Sequence, residues 1–256
     1  EIGEAYIGDG NYKKAMEFQK IALELSRKSN FLKGEAKAHA NIGIVQESEG
    51  NYPLALSSYL EALRIRTKIN DNAGIAACYN NIGLAYYYMG NYPESIKNHL
   101  AALKIKEKIG DKKPEEIIDN LRTRKKSIAA SYNNIGIVYW SQKNFDEALK
   151  NHFTSLSLRK EINFKKGIST SYNNIAMVYD DQNNYEEALK NYFASIKIRE
   201  ELGDEKGIAD CYNNLGSIYE KMGQPNESLK NHLLALAHYE KRDEKIGIVS
   251  TYINIG

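Results

Sequence analysis

Few residues in this 256-residue sequence would interrupt a fold or cross-link it. Four prolines, two cysteines and the lack of any Ser- or Gly-rich tract argue against long linkers and disorder. No apolar run reaches the about 18 residues that span a membrane, so no membrane insertion is predicted. The charges nearly cancel, with 35 Lys and Arg against 33 Asp and Glu, and this balance does not favour nucleic-acid binding. No signal peptide is visible, so we predict a cytoplasmic protein, or a periplasmic one if a signal peptide has been removed.

What the sequence does contain is an internal repeat. A small residue, preceded in several copies by Tyr-Asn-Asn-Ile, returns at steps of 40, 40, 53, 40, 40 and 40 residues. Chance does not produce such regularity, so each copy is predicted to form the same structural unit. The residues in this small-residue slot are Gly3, Gly43, Gly83, Gly136, Ala176, Gly216 and Gly256.

Each repeat is predicted to form two helices. In the third repeat, Tyr79, Ile82 and Tyr86 recur at helical spacing, and Gly90 ends the first helix. Asn91 can then cap a second helix that has a proline in its first turn. Two helices of this size cannot bury their apolar faces alone, so neighbouring repeats must stack. The same cap recurs at Asn144 and Asn184.

These slots resemble the signature of the tetratricopeptide repeat (TPR) family, and the match covers essentially the whole chain. One full copy has Tyr132, Gly136 and Tyr139 on the first helix and Ala148 and His152 on the second. The repeat length is 40 rather than the usual 34, and the usual proline at the end of the second helix is missing. This resembles the subclass found in spindle-orientation adaptors, kinesin light chains and, most closely, bacterial signalling-protein arrays. Three histidines take the place of the core aromatic residue and are predicted to be structural: His99, His152 and His232.

The resemblance implies an all-α fold, a right-handed α–α superhelix of about six helix-turn-helix repeats with truncated ends. We predict a single array over residues 1–256. The chain begins with Glu1 and ends in the middle of a repeat, so both ends are expected to be cut from a longer array. The predicted repeats lie near 1–35, 36–75, 76–111, 125–168, 169–208 and 209–248, with a partial repeat at 249–256 and an insertion at 112–124.

The insertion is predicted to extend the first helix of the fourth repeat. Pro114 and the two glutamates after it favour a helix start, and an apolar stripe follows at Ile117, Ile118 and Leu121. Two alternatives stay open: a docking surface for another domain or a second copy, or packing against the preceding helix. The basic residues that follow lack interleaved aromatics, so no nucleic-acid binding is predicted. They are Arg122, Arg124, Lys125 and Lys126.

In TPR proteins the face of the first helix opposite the core stripe lines a concave groove. Two asparagine columns lie on that face, three and two residues before the small-residue slot. Asn is a poor helix former, and its amide can pair with either group of a peptide backbone. The first column is predicted to contact a ligand, and the second to bond neighbouring helices or a ligand. The candidates are Asn80, Asn133, Asn173 and Asn213 in the first column, and Asn134 and Asn174 in the second.

The remaining groove candidates are apolar or aromatic near the middle of the array and acidic later. Aromatic anchors are typical of binding hot spots. We therefore predict a partner segment, peptide or protein, with an apolar anchor and basic residues beyond it. A solvated surface is the alternative, and a chaperone-type carboxylate clamp is not predicted because the first column holds no lysine. These candidates are Leu84, Tyr87, Ile137, Trp140, Met177, Asp180 and Glu220.

The predicted function is a protein- or peptide-binding scaffold that forms the partner-sensing part of a larger signalling protein. The alternative is a self-assembly module that forms a homodimer through the insertion helix or the ends. No Gly-rich phosphate loop, HExxH motif or Cys–His cluster is present, so no enzyme, no cofactor and no metal site are predicted. Cys78 and Cys211, 133 residues apart, are interpreted as small buried side chains.

Overall fold

Most helices of this protein are 17 residues long, and short turns join them. The computed structural model describes residues 2–108 and 117–255, with side chains over 3–108 and 121–255, and no strand occurs in these ranges. The chain divides into two compact units, unit 1 over Glu1–Asn120 and unit 2 over Leu121–Gly256. The helices are α1 (Ile2–Gly8), α2 (Tyr12–Lys28), α3 (Leu32–Ser48), α4 (Tyr52–Lys68), α5 (Asn72–Tyr88), α6 (Tyr92–Lys108), α7 (Ile117–Ser141), α8 (Phe145–Glu161), α9 (Lys165–Asp181), α10 (Tyr185–Leu202), α11 (Glu205–Lys221), α12 (Pro225–Glu240) and α13 (Lys245–Ile255).

Helix α7 is the longest described helix, with 25 residues from Ile117 to Ser141. Its first turns fall where the sequence predicts an extension of the fourth repeat. Pro114 and the glutamates beside it lie outside the described residues, as do the side chains of Ile117 and Ile118. Leu121, the last residue of the predicted apolar stripe, is 40% exposed.

The predicted asparagine caps are confirmed. The side chain of Asn144 accepts a hydrogen bond from the backbone N–H of Glu147 at 3.4 Å, and Asn91 and Asn184 accept the equivalent bonds. The Glu147 carboxylate does not fold back onto the cap; it pairs with Lys150 at 3.0 Å. The turn before each cap contains a left-handed residue, Gly90 at φ 75° in the third repeat, as predicted for the end of that helix.

Some first helices begin with a carboxylate cap that also holds an arginine. In unit 2, Asp204 accepts a bond from the Gly207 N–H at 3.1 Å and pairs with Arg199 at 2.9 Å. Helix α9 is preceded instead by Phe164, which makes no side-chain cap. The same turn is therefore closed by polar contacts in one repeat and by an aromatic ring in another.

We expect Asp204→Ala to lower the free energy of unfolding of unit 2 by about 2 kcal/mol, because it removes a helix cap and leaves a largely buried guanidinium without its counter-ion. The side chain of Arg199 is 12% exposed, so water compensates only part of that loss. Asn184→Ala removes only a helix cap and should lower the free energy of unfolding by about half as much. Urea unfolding followed by circular dichroism would measure both, and equal losses would contradict a stabilising role for the ion pair.

The core lies between the two helices of each repeat, where the small-residue slot faces a ring of the second helix. A Cβ added at Gly136 would lie 2.8 Å from the ring of His152. His99, His152 and His232 are at most 1% exposed, as expected for residues in the core aromatic slot. Large aliphatic side chains beside the slot are also buried: Ile82, Ile135, Ile175 and Leu215. The second helix of a repeat therefore covers one side of the first helix.

Candidate partner-binding face

The first helices of successive repeats lie side by side within each unit. In unit 2, Trp140 Nε1 of α7 donates to Asp181 Oδ2 of α9 at 2.7 Å, and Lys221 of α11 pairs with Asp180 at 2.8 Å. Both contacts join residues 41 positions apart, one more than the repeat length, so the same cross-helix contact recurs between successive first helices. We call the half-exposed side of α7, α9 and α11 the first-helix face of unit 2, and that of α3 and α5 the first-helix face of unit 1.

The first asparagine column uses its side-chain oxygens inside the protein. Asn133 Oδ1 accepts from Asn174 at 3.0 Å and from Arg159 at 3.5 Å. Asn213 Oδ1 accepts from His232 at 2.9 Å, and Asn80 Oδ1 accepts in the same way from His99 at 3.3 Å. In the remaining member, Asn173, the oxygen accepts from Cys211 and the nitrogen donates to the sulfur of Met177.

The amide nitrogens of this column are less engaged. Those of Asn80, Asn133 and Asn213 donate to no residue in the part of the chain that the structure describes. Asn80 and Asn213 are partly exposed, whereas Asn133 is 7% exposed. What the column still offers is therefore a set of N–H donors, since the acceptors are already occupied.

The second asparagine column joins neighbouring repeats. Asn174 Nδ2 donates to Asn133 at 3.0 Å, and Asn254 makes the equivalent bond to Asn213 at 3.1 Å. Asn134 differs, because its half-exposed side chain forms no hydrogen bond with any described residue. A structural bond between repeats, one of the two alternatives for this column, therefore occurs at Asn174 but not at Asn134.

The apolar candidates fall into two separate groups, one in each unit. In unit 2, Ile137 and Met177 are half-buried, and Trp140 lies three residues after Ile137 on α7. In unit 1, Leu84 is half-buried and Tyr87 belongs to an aromatic cluster. The Tyr87 ring lies 5.3 Å from Tyr88 and 5.9 Å from Tyr92, and Tyr88 stacks on Tyr52 at 4.9 Å.

One of the two acidic candidates, and two further carboxylates of α9 and α11, have partners within unit 2. Asp180 pairs with Lys221 at 2.8 Å, which neutralises its charge. Asp181 accepts from the Trp140 indole, and Asp210 accepts from the hydroxyl of Tyr239 at 2.6 Å. Glu220 is exposed and pairs with no described residue. The negative charge of this face is therefore smaller than its carboxylate count suggests.

Arg159 of α8 is a buried residue next to this face that the sequence patterns did not predict. It is 7% exposed, and its Nη1 donates to Ser171 Oγ at 2.7 Å and to the Gly167 carbonyl at 3.0 Å, beside Asn133. No described carboxylate pairs with it, and burial lowers the pKa of its guanidinium. A basic residue returns at the same slot in other repeats, which is the signal that could have revealed it: Arg66, Lys106 and Arg199.

Two features are absent from the part of the chain that the structure describes. None of its helices is long and apolar enough to cross a membrane. Over residues 2–108 and 117–255, no group of three or more His, Cys, Asp and Glu side chains is placed to hold a metal ion.

Comparison with known families decides the assignment. The tetratricopeptide repeat model matches residues 1–68, 34–108, 127–201 and 168–241, which together cover most of the chain. The chain belongs to the tetratricopeptide repeat family. The all-α helix-turn-helix fold and the resemblance seen in the sequence are thereby confirmed. A comparison with curated proteins finds no match.

Solved structures share this TPR fold at low sequence identity. BtubC (BKLC) from P. vanneervenii is 16% identical, with a TM-score of 0.75 over 91% of this chain and 92% of that one. A signal transduction ATPase with a TPR sensor from Pyrococcus horikoshii is 20% identical, with a TM-score of 0.72 over 98% of this chain and 37% of that one. The Rap conjugation gene regulator of plasmid pLS20, solved with the Phr* peptide, is 20% identical, with a TM-score of 0.69 over 89% of this chain and 60% of that one. At these identities the neighbours establish the fold that they share with this chain.

Proposed function

We propose that this TPR chain binds an extended segment of a partner polypeptide on its first-helix faces and serves as the sensing part of a larger signalling protein. The observation that carries the proposal is the row of unused amide donors, Asn133 and Asn213, beside the half-exposed apolar side chains Ile137 and Met177. The Rap regulator bound to the Phr* peptide supports the peptide-binding part. The ATPase whose TPR segment is a sensor supports the signalling part.

The chemistry of the first-helix face of unit 2 suits a peptide main chain. Amide nitrogens of the first column donate to peptide carbonyls, and the free side chain of Asn134 can donate and accept. Ile137 and Met177 bury an apolar anchor of the partner, and Glu220 attracts a basic residue beyond it. We propose no catalytic step for these residues, and the chain acts by holding its partner.

Selecting peptides from a displayed library and measuring their affinities by fluorescence anisotropy would test this. Ile137→Arg/Met177→Arg places two charged side chains on the first-helix face and removes one asparagine bond, from the Asn173 nitrogen to the Met177 sulfur. We expect it to weaken the selected peptides by about a hundredfold, on the order of two apolar hot-spot contacts. Tryptophan fluorescence should change on binding, because Trp140 is the one tryptophan in the chain and lies on the same face, where it bonds Asp181 of α9.

The matched control is Phe153→Arg/Phe193→Arg, on the second helices of the same two repeats. Both phenylalanines are exposed, at 44% and 47%, so the control adds the same charge away from the proposed face. Equal circular dichroism spectra would establish that both variants fold. The proposal would be contradicted if the selected peptides bound the parent and the first-helix variant with equal affinity, or if the library yielded no binder.

Self-association is the second candidate function. Helix α13 presents exposed apolar side chains, with Ile246 at 81% and Ile253 at 73% exposed, and a second copy could cover them. Light scattering at increasing concentration separates the two functions. A dimer that Ile246→Lys/Ile253→Lys abolishes would support self-association, whereas a monomer at all concentrations would favour the scaffold.

A further inference from the structure

A group of basic side chains surrounds the turn between α8 and α9 in unit 2. Lys125 of α7 pairs with Glu161 at the end of α8 at 2.7 Å, and the amine of Lys126 lies 4.5 Å from the centre of the Phe164 ring. These contacts bring the basic turn of α7 beside the turn that joins α8 to α9. We call the group the basic corner and define it as Arg122, Lys125, Lys126, Arg159, Lys160, Lys165 and Lys166.

Most of the positive charge at the basic corner is uncompensated. Among the described residues, only Lys125 and Lys165 have a carboxylate partner, Glu161 at 2.7 Å and Glu201 at 2.9 Å. Of the other five members, Arg159 is buried, and four are exposed to solvent with no described ion-pair partner. Those four are Arg122, Lys126, Lys160 and Lys166.

The fold does not require this charge, as the next repeat demonstrates. Residues 159–166 hold four cations and one carboxylate, a net charge of +3. The equivalent residues 199–206 hold two cations and four carboxylates, a net charge of −2. Helices α10 and α11 still form the same turn, with Glu200 where Lys160 stands and Glu205 where Lys165 stands. The positive charge is therefore a surface property of one corner.

We propose that the basic corner is a docking surface for an acidic segment of a partner protein, rich in Asp and Glu. Exposed cations attract carboxylates over about 10 Å at low ionic strength and steer an acidic chain toward the surface. This surface is separate from the first-helix face, so the proposal does not depend on peptide binding there.

A polypeptide fits the corner better than a nucleic acid does. Single-stranded nucleic acids need open aromatic rings on which bases stack. Here Lys126 covers Phe164, and the amine of Lys160 lies 5.1 Å from the ring centre of Tyr172. The whole chain carries a net charge of only +2, far from the strongly basic balance of nucleic-acid-binding domains.

Fluorescence anisotropy with a fluorescein-labelled 12-residue peptide of alternating Glu and Ala would test the proposal. The corner variant is Lys160→Glu/Lys166→Glu. The control is Lys13→Glu/Lys33→Glu, which changes the net charge equally at two exposed lysines of unit 1 that pair with no described residue. At about 50 mM salt, we expect the parent and the control to bind alike and the corner variant to bind at least about tenfold more weakly. Added salt should weaken the binding of the parent.

Four results would overturn the proposal, given equal circular dichroism spectra for all three proteins. The parent could fail to bind the peptide. The two variants could also lose affinity equally, which would indicate that binding depends only on the net charge of the protein. A labelled 12-nucleotide DNA strand could bind the corner more tightly than the peptide. Light scattering could reveal that the corner joins two copies of this chain and that the peptide does not compete.

Discussion

Lowering the pH from 7 to 4 is expected to destabilise both units through their buried histidines. Burial lowers the pKa of His99 in unit 1 and of His152 in unit 2 to about 4, with smaller contributions from the nearby charges of Lys106 and Arg159. An unfolded histidine has a pKa of about 6.5. Below that pH the unfolded chain binds protons that the folded chain does not, so stability falls as the pH drops from 6.5 to 4. The loss approaches about 3 kcal/mol per histidine.

Urea unfolding at pH 7 and pH 4 would measure this loss in the parent and in His152→Phe. The same slot holds Tyr59 and Tyr192 in other repeats, and both rings are 1% exposed, so an aromatic ring fits there. The variant removes the titrating group and should retain about 3 kcal/mol of the stability that unit 2 of the parent loses at pH 4. An unchanged pH dependence in His152→Phe would contradict the assignment of the effect to this histidine.

Gly43→Val is expected to unfold or strongly destabilise unit 1. A Cβ at Gly43 would lie 2.5 Å from the ring of Tyr59, which is 1% exposed and whose hydroxyl donates to Glu47 at 2.9 Å. The ring cannot move aside without losing that bond and its neighbours. Overpacking of this kind costs about 3 kcal/mol, to which a β-branched residue in a helix adds slightly.

The control for this effect is Gly8→Ala, at a helical glycine whose added Cβ would contact nothing within 4 Å. Replacing an open helical glycine by alanine should raise stability by about 0.5–1 kcal/mol. Thermal unfolding followed by circular dichroism would compare the two variants. A melting temperature for Gly43→Val within a degree of the parent would indicate that the helix pair opens more easily than these distances imply.

Much of the fold was predictable because each local signal agrees with the others. The 40-residue repeat places a small residue, a ring and an asparagine cap at fixed points of most helix pairs, with Gln19 and Gln224 as exceptions at the ring and the cap. Gly90 and Asn91 mark the end of one helix and the start of the next, and the structure confirms both. The carboxylate cap at Asp204 and its absence at Phe164 also follow from residue type alone.

The hydrogen bonds of the candidate face were harder to predict. A helical wheel predicts the side of the helix on which an asparagine lies, but not which group its amide bonds. That bond depends on which residue the adjacent repeat places nearby. Asn174 reaches Asn133 in the repeat before it. Asn81 follows a repeat that holds Ala40 in the first column, and its side chain forms no bond with a described residue. Reading the two columns together would have predicted this difference.

The charges of the face could not be read residue by residue either. Asp180 and Lys221 lie 41 residues apart in the sequence, yet they form an ion pair between α9 and α11. A helical wheel of one repeat contains only one member of such a pair. The predicted acidic region is therefore partly neutralised, and Glu220 is the carboxylate among the predicted site residues that stays exposed and without a described partner.

Photocrosslinking of a selected peptide tests the central proposal most directly. A benzophenone placed at the apolar anchor of the tightest peptide would be activated on the parent protein, and mass spectrometry would locate the attachment. We predict attachment on α7 or α9, at or beside Ile137 and Met177. Attachment to the second helices α8 and α10, or to the basic corner, would contradict peptide binding on the first-helix face.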